Sequence, residues 1–154
     1  MYGNIFEVFH FSIALFSGLL ALLPPITKDI QRAWLRNSAV ELHEVFSKTT
    51  ALNISLPEPV PFSDQVSHEQ AYFLFERIFS IYKTFEFIPE AGLLTPPEGQ
   101  GCILKARWSF RNTRNNSPYL FEVFFYLIHD PGPPASRGAP SAPWRISEIK
   151  AERL

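Results

Sequence analysis

The sequence contains a single cysteine, Cys102, and no surplus of either charge. One cysteine excludes an intramolecular disulfide and a cysteine-based zinc site. The 14 Lys and Arg residues are balanced by 15 Asp and Glu residues, which gives a formal net charge of -1. Nucleic-acid binding is driven by clustered basic side chains that release counterions from the phosphates. Because no such cluster is present, no nucleic-acid partner is expected.

The motifs that hold metals and cofactors are also missing. His43-Glu44 begins like a His-Glu-x-x-His zinc motif, but Ser47 stands where the second histidine would be. The segment 99–101 (GQG) lacks the third glycine and the following helix of a dinucleotide fingerprint. There is no P-loop and no Gly-x-Ser-x-Gly motif. The sequence therefore predicts no metal and no cofactor.

The length and composition are those of one globular domain behind an apolar leader. The chain has 154 residues, of which 46% are hydrophobic and 19% are charged. An apolar run at 8–23 ends at two prolines and has no Lys or Arg before Lys28. We divide the chain into a hydrophobic segment at 1–27 and a domain at 28–154. The segment fits a cleaved signal peptide, a membrane anchor at 5–23 or a helix packed on the domain.

The two membrane interpretations of this segment predict different locations. A cleaved signal peptide predicts an exported protein, either periplasmic or extracellular. An uncleaved anchor predicts a membrane partner at residues 5–23, with the basic residues that follow held on the cytoplasmic side. Both send the domain to or across a membrane.

Downstream, the hydrophobic spacing switches between helix and strand. Helical spacing from Asp29 to Phe46 predicts one amphipathic helix, and alternation over 51–56 predicts a short strand that the prolines at 57–61 end. Ser67 and Gln70 match the capping box of a second helix. Four further strands are predicted at 84–88, 102–111, 119–129 and 144–152. This order predicts an α+β domain whose antiparallel sheet carries helices on one face, with a Pro-rich loop at 131–143.

This order resembles the nuclear transport factor 2-like fold, also called the cystatin-like cone. The stretches that carry the resemblance are 42–46 (LHEVF), 53–57 (NISLP), the capped helix at Ser67 and 144–146 (WRI). More narrowly, 42–58, 121–128 and 144–152 are similar to a family of small, mostly exported bacterial proteins of unknown function. The resemblance implies a curved antiparallel sheet wrapped around N-terminal helices, an export route and no assigned reaction.

Enzymes of that superfamily place an acid or base inside the cone, so the strand at 119–129 supplies the catalytic candidates. Both faces of this strand are apolar, with Glu122 and Tyr126 on one and His129 at the end of the other. If the chain is an enzyme of the dehydratase or isomerase kind, Glu122 or His129 is the expected base and Tyr72 or Tyr126 the expected hydrogen-bond donor. The alternative for Glu122 is a surface ion pair with Lys105 or Arg107.

Aromatic side chains supply the candidates for a ligand pocket. They either line a site for a small apolar ligand inside the cone or fill the core. The candidates are Phe75, Phe79, Trp108, Phe110, Phe124 and Trp144.

The two apolar faces of the strand at 119–129 also bear on partners. Either the strand is covered on both sides, or its convex face pairs with a second subunit. We therefore expect a non-catalytic ligand-binding or protein-assembly module that forms a homodimer through the sheet face. The enzyme is the alternative.

Overall fold

The computed structural model describes residues 25–94, 101–130 and 143–154. The apolar run at 8–23 and all of the Pro-rich loop except Pro143 lie outside the described residues. The described part contains three helices, α1 (Pro25–Leu35), α2 (Ala39–Glu44) and α3 (His68–Ile81). It also contains six strands: β1 (Leu52–Leu56), β2 (Phe62–Val66), β3 (Tyr82–Pro89), β4 (Cys102–Asn112), β5 (Pro118–His129) and β6 (Trp144–Arg153). No helix in these ranges is long and apolar enough to cross a membrane.

The six strands form one curved, open sheet in the order β2-β1-β6-β5-β4-β3. Neighbouring strands are antiparallel except for β1 and β6, which run parallel over three residue pairs from Asn53↔Glu148 to Ser55↔Lys150. The prediction of an antiparallel sheet is therefore correct for every pairing but this one. The parallel contact places the C-terminal strand β6 in the middle of the sheet.

The predicted first helix is divided in two. Asn37 adopts a left-handed backbone conformation with φ of 50°, and Ser38 then caps α2 by accepting a hydrogen bond from the Glu41 backbone N–H at 3.1 Å. A left-handed residue ends a helix, and a serine at the next N-cap begins another. The prediction of one helix from Asp29 to Phe46 is wrong for this reason.

Strand β2 was not expected from the sequence. Three of its five residues are exposed, so it lacks the alternation of polar and apolar residues that marks a half-buried strand. It lies at the edge of the sheet, where only one neighbour, β1, is available for pairing. An edge strand needs little apolar surface, which is why its sequence gives no strand signal.

Strand β5 buries one of its two apolar faces against the helices. Phe121, Val123, Phe125 and Leu127 have at most 1% exposure and belong to the main core. The alternate residues from Leu120 to Ile128 are half-buried and face away from the helices. The described helices therefore pack on one side of the sheet, as the sequence predicts.

The core is built around Trp34 of α1. Its fully buried ring makes contacts with five aromatic rings at centroid distances of 5.1–5.7 Å. These rings belong to Phe75, Phe79, Phe87, Trp108 and Phe125. Most of the contacts are edge-on, an arrangement that aromatic pairs favour. The space between helices and sheet is thus occupied by aromatic side chains.

Candidate functional site

Four of the six predicted pocket residues are part of this filled interior. Phe75, Phe79, Trp108 and Phe110 are at most 2% exposed. The rings of Trp108 and Phe110 stack at a centroid distance of 3.9 Å, and those of Phe75 and Phe79 lie 5.7 Å apart. The helix pair and the strand pair are joined by Trp34, whose ring contacts Phe75, Phe79 and Trp108.

The other two pocket candidates lie elsewhere. Trp144 begins β6 and stacks on His129 at the end of β5, with ring centroids 3.6 Å apart. Phe124 faces away from the helices on β5 and is half-buried. The structure therefore does not gather the six aromatic candidates around one cavity.

The four catalytic candidates are also dispersed. The Tyr72 hydroxyl donates to Glu76 on the exposed side of α3 at 2.7 Å, and this bond raises the pKa of Tyr72. Glu122 and Tyr126 lie on the side of β5 that faces away from the helices, and His129 lies at the end of the strand. Two of these side chains are held by partners outside the set, since Tyr72 donates to Glu76 and Glu122 pairs with Lys105.

Glu122 forms an ion pair with a neighbouring strand. Its carboxylate accepts from the Lys105 ammonium group at 2.7 Å, and Glu90 lies 3.5 Å from the same nitrogen. The hydrogen bond to Glu122 is the main reason why the pKa of Lys105 is raised. Lys105 also lies over the Phe124 ring at 5.8 Å. The lysine thus joins the charged and aromatic parts of this surface.

We call this surface the outer sheet face. It consists of the residues of β4, β5 and β6 that face away from the helices. Its apolar centre is formed by Phe124, Tyr126 and Ile128 of β5, together with Ile103, which stands opposite Tyr126 on β4. Ile103 is only 9% exposed, yet it does not belong to the main core cluster. The sheet therefore carries a second, smaller apolar cluster on the side opposite the three described helices.

Charged residues border this apolar centre on both sides. On β6, Arg145, Glu148, Lys150 and Glu152 alternate in sign opposite Ile128, Tyr126, Phe124 and Glu122. On β4, Lys105 and Arg107 stand opposite Phe124 and Glu122. An apolar centre with a polar rim is the usual anatomy of a protein–protein interface.

Among the described residues, no group of three or more His, Cys, Asp or Glu side chains is placed to hold a metal ion. Cys102 is buried, and burial raises the pKa of its thiol. A raised pKa keeps the thiol protonated and poorly nucleophilic. Neither a metal centre nor a reactive cysteine is formed in this part of the chain.

No family model matches the sequence, and no curated protein matches it significantly. Solved structures do match. The chain is similar to a ketosteroid isomerase-like protein from Erwinia carotovora atroseptica, with a TM-score of 0.55, 10% identity and coverage of 80% of this chain and 86% of the other. A nuclear transport factor 2-like protein of unknown function in nutrient uptake from Rhodospirillum rubrum gives a TM-score of 0.55, 9% identity and coverage of 83% and 94%.

A third solved structure, a nuclear transport factor 2-like protein from Burkholderia xenovorans, gives a TM-score of 0.51, 14% identity and coverage of 84% and 86%. These likenesses confirm the nuclear transport factor 2-like fold predicted from the sequence. At such low identity they establish the fold alone, because one fold hosts many functions. The narrower resemblance to an exported bacterial family stays a prediction.

Proposed function

We propose that this protein is a non-catalytic assembly module that forms a homodimer through the outer sheet face. The observation that carries the proposal is the apolar centre of that face, formed by Phe124, Tyr126, Ile128 and Ile103 on the side of the sheet opposite the described helices. A contiguous apolar patch with a polar rim is typical of interaction sites. Aromatic residues are enriched in the centre of such sites.

The charges around the patch favour a second copy of the same chain as partner. A two-fold interface brings one patch against itself, so each charge must meet an opposite charge of the same patch. Arg145, Glu148, Lys150 and Glu152 alternate along β6. When two copies meet in antiparallel orientation, such a row places acidic groups against basic ones. A patch of a single sign would repel its own copy.

The filled interior supports an assembly role over an enzymatic one. A dehydratase or isomerase needs an acid or base beside a substrate cavity, and here Trp34 and its neighbouring rings occupy the space between helices and sheet. Glu122 and Tyr126 lie on the outer sheet face, where Glu122 is held in the ion pair with Lys105. Their position on the outer sheet face is compatible with a role in an interface.

Cross-linking at the outer sheet face tests the homodimer. We expect Phe124→Cys to give a covalent dimer with a short bis-maleimide, because isologous contact brings the two copies of this residue together. The native Cys102 is buried and does not compete. The matched control is Phe73→Cys on α3, a phenylalanine that is 64% exposed on another side of the domain. Equal cross-linking of both variants, or of neither, would contradict the proposal.

We also propose that residues 5–23 deliver the domain to or across a membrane, either as a cleaved signal or as an anchor. The support is the length and low charge of this apolar segment. Intact mass after separation of soluble and membrane fractions of the native host tests it. A soluble species that lacks about the first 25 residues indicates a cleaved signal. A full-length species in the membrane indicates an anchor, and full-length soluble protein would refute both.

A further inference from the structure

A half-open groove lies between helix α3 and the turn that joins β1 to β2. Its volume is about 290 Å³. Most of its lining is apolar and comes from Val60 and Phe62 on the turn side and from Leu74, Ile78 and Ile81 on the helix. This volume lies near the lower end of the range that small-molecule sites occupy. The groove is separate from the outer sheet face, so its role is independent of the proposed homodimer.

The walls of the groove are fixed by the fold. The hydroxyl of Tyr82, the first residue of β3, donates to the Pro59 carbonyl at 3.2 Å. The Val60 backbone N–H donates to the Pro57 carbonyl at 3.1 Å and closes the turn. Val60 and Ile78 are at most 8% exposed. A groove held in this way pays little ordering cost when a ligand enters.

Arg77 is the one cationic residue among those that line the groove. Within the described part of the chain, no carboxylate lies within 4.0 Å of it. The arginines of the first two helical segments differ, because Arg32 and Arg36 each form an ion pair with Glu41. Arg77 therefore offers a fork of free donors beside an apolar wall. A ligand that matches both features has an apolar body and an anionic end.

We infer that this groove binds an aliphatic monocarboxylate, such as a medium-chain fatty acid. The alkyl chain lies against Leu74, Ile78 and Ile81, and the carboxylate accepts hydrogen bonds from Arg77. In a liquid, a group the size of a water molecule occupies about 30 Å³, so the groove has room for roughly ten such groups. A chain of about eight carbons, counted with its carboxylate, has this size. An arginine suits this end of the groove because its planar guanidinium group can donate two parallel hydrogen bonds to one carboxylate.

The contributions of the alkyl chain and of the carboxylate to binding can be measured separately. Burial of each methylene strengthens binding about fourfold when it is complete. Because the groove is half-open, we expect octanoate to bind at least about threefold more tightly than hexanoate. Replacement of Arg77 by glutamine removes the charge and leaves the apolar wall. It should weaken octanoate binding about fivefold or more, while binding of neutral 1-octanol stays unchanged.

The experiment is a titration of the full chain, followed by amide NMR shifts, with octanoate and hexanoate below their micellar concentrations and 1-octanol below its solubility limit. We expect saturable shifts at Val60 and Ile78. The matched control is Arg36→Gln, an exposed arginine that follows α1, does not line the groove and should leave octanoate binding unchanged when lost. A second variant, Leu74→Trp, fills the groove and should abolish binding of all three probes. The inference fails if no shift saturates, if Arg77→Gln binds octanoate as the wild type does, or if Arg36→Gln weakens it equally.

Discussion

Asp130 is the one charged residue in the described part of the chain that is buried. It follows β5 and is 6% exposed. Its carboxylate accepts from the Thr49 hydroxyl, from the Lys48 backbone N–H at 2.9 Å and from the Ser47 hydroxyl at 3.3 Å. These bonds tie the loop after α2 to the end of β5. Burial acts to raise the pKa of Asp130, but the three hydrogen bonds and the charge of Arg145 outweigh it and hold the pKa below its usual value of 3.8.

We predict that Asp130→Asn lowers the free energy of unfolding by about 1–3 kcal/mol at neutral pH, because its amide cannot accept from all three donors. Urea unfolding measures the loss. Asp64→Asn is the matched control, because Asp64 is exposed on β2 and bonds only to the adjacent Gln65 N–H; it should change stability by less than about 0.5 kcal/mol.

The sign of the pH dependence gives a second readout for the same variant. A depressed pKa means that the Asp130 carboxylate stabilises the fold above pH 3.8 and that this contribution is lost as the pH falls through its pKa in the folded protein. The difference between wild type and Asp130→Asn should therefore shrink in acid. A difference that stays constant down to that range would show that the carboxylate charge is not the cause.

Two histidines make direct contact where α2 approaches the start of α3. The Nε2 atom of His43 lies 3.0 Å from the Nδ1 atom of His68, and Glu69 lies 3.1 Å from the other nitrogen of His68. Burial lowers the pKa of His43 from 6.5, and the charges of His68 and Lys48 lower it further. Glu69 and Glu44 act in the opposite direction without reversing the shift.

We predict that stability falls as the pH is lowered below about 6.5, because the unfolded chain then binds a proton at His43 that the folded chain resists. His43→Gln should flatten this slope in urea unfolding between neutral pH and pH 5. Lys48→Ala should reduce it, because one of the charges that oppose protonation is gone. A wild-type slope retained in His43→Gln would refute the assignment to His43.

At the scale of elements, the break between α1 and α2 depends on one residue. Asn37 adopts φ of 50°, and its side-chain oxygen accepts from the Thr84 backbone N–H of β3 at 2.9 Å. Asparagine tolerates the left-handed conformation better than most residues. Asn37 therefore ends α1 and also fixes the helical layer to the sheet.

We predict that Asn37→Ala costs about 2–3 kcal/mol, the sum of the strain of a left-handed alanine and an unsatisfied Thr84 N–H. Asn37→Gly should cost less, because it removes only the hydrogen bond. The matched control is Asn116→Ala in the β4–β5 turn. Asn116 also has a left-handed backbone, with φ of 61°, but its side chain makes only an exposed hydrogen bond of 3.4 Å to Arg111. This variant should therefore cost about 1 kcal/mol. Equal losses for Asn37→Ala and Asn116→Ala by thermal unfolding would contradict the role of the bond to Thr84.

Elements with a strong local signal could be predicted from the sequence, and those that depend on distant neighbours could not. The capping box is present, with Ser67 and Gln70 each bonded to the other's backbone N–H. Strands β4, β5 and β6 agree with their predicted ranges to within one residue. Asn37-Ser38 carried the signal for the helix break, since this pair suits a left-handed end followed by a cap. The parallel pairing of β1 with β6 has no local signal, because register depends on the whole sheet.

The candidate site was harder to predict, because a strand with two apolar faces does not show which face is buried. Periodicity alone placed Glu122 and Phe124 together on one face and Phe125 and Leu127 on the other. The choice between them is made by where α1 and α3 pack, which brings Trp34 against Phe125. The groove beside Arg77 could not be predicted from the sequence either, because its shape depends on how the β1–β2 turn packs against α3.

At the scale of the whole molecule, a helix layer covers one side of the sheet and leaves the apolar cluster around Phe124 on the other. The ion pair between Lys105 and Glu122 partly shields this cluster. A surface of this kind is compatible with solubility of the single domain at low concentration and with association as concentration rises. Self-association through the outer sheet face is the central claim for this molecule.

Sedimentation equilibrium of the full chain, wild type and Phe124→Asp, tests this claim most directly. We predict a dimer dissociation constant of about 1 μM, so the wild type should approach twice the chain mass of 17.6 kDa at about 100 μM and return towards one chain mass on dilution. Phe124→Asp should stay at 17.6 kDa with an unchanged thermal unfolding curve, and the control Phe73→Asp should behave as the wild type does. A wild type that remains at one chain mass throughout, or a Phe124→Asp variant that still dimerises, would contradict it.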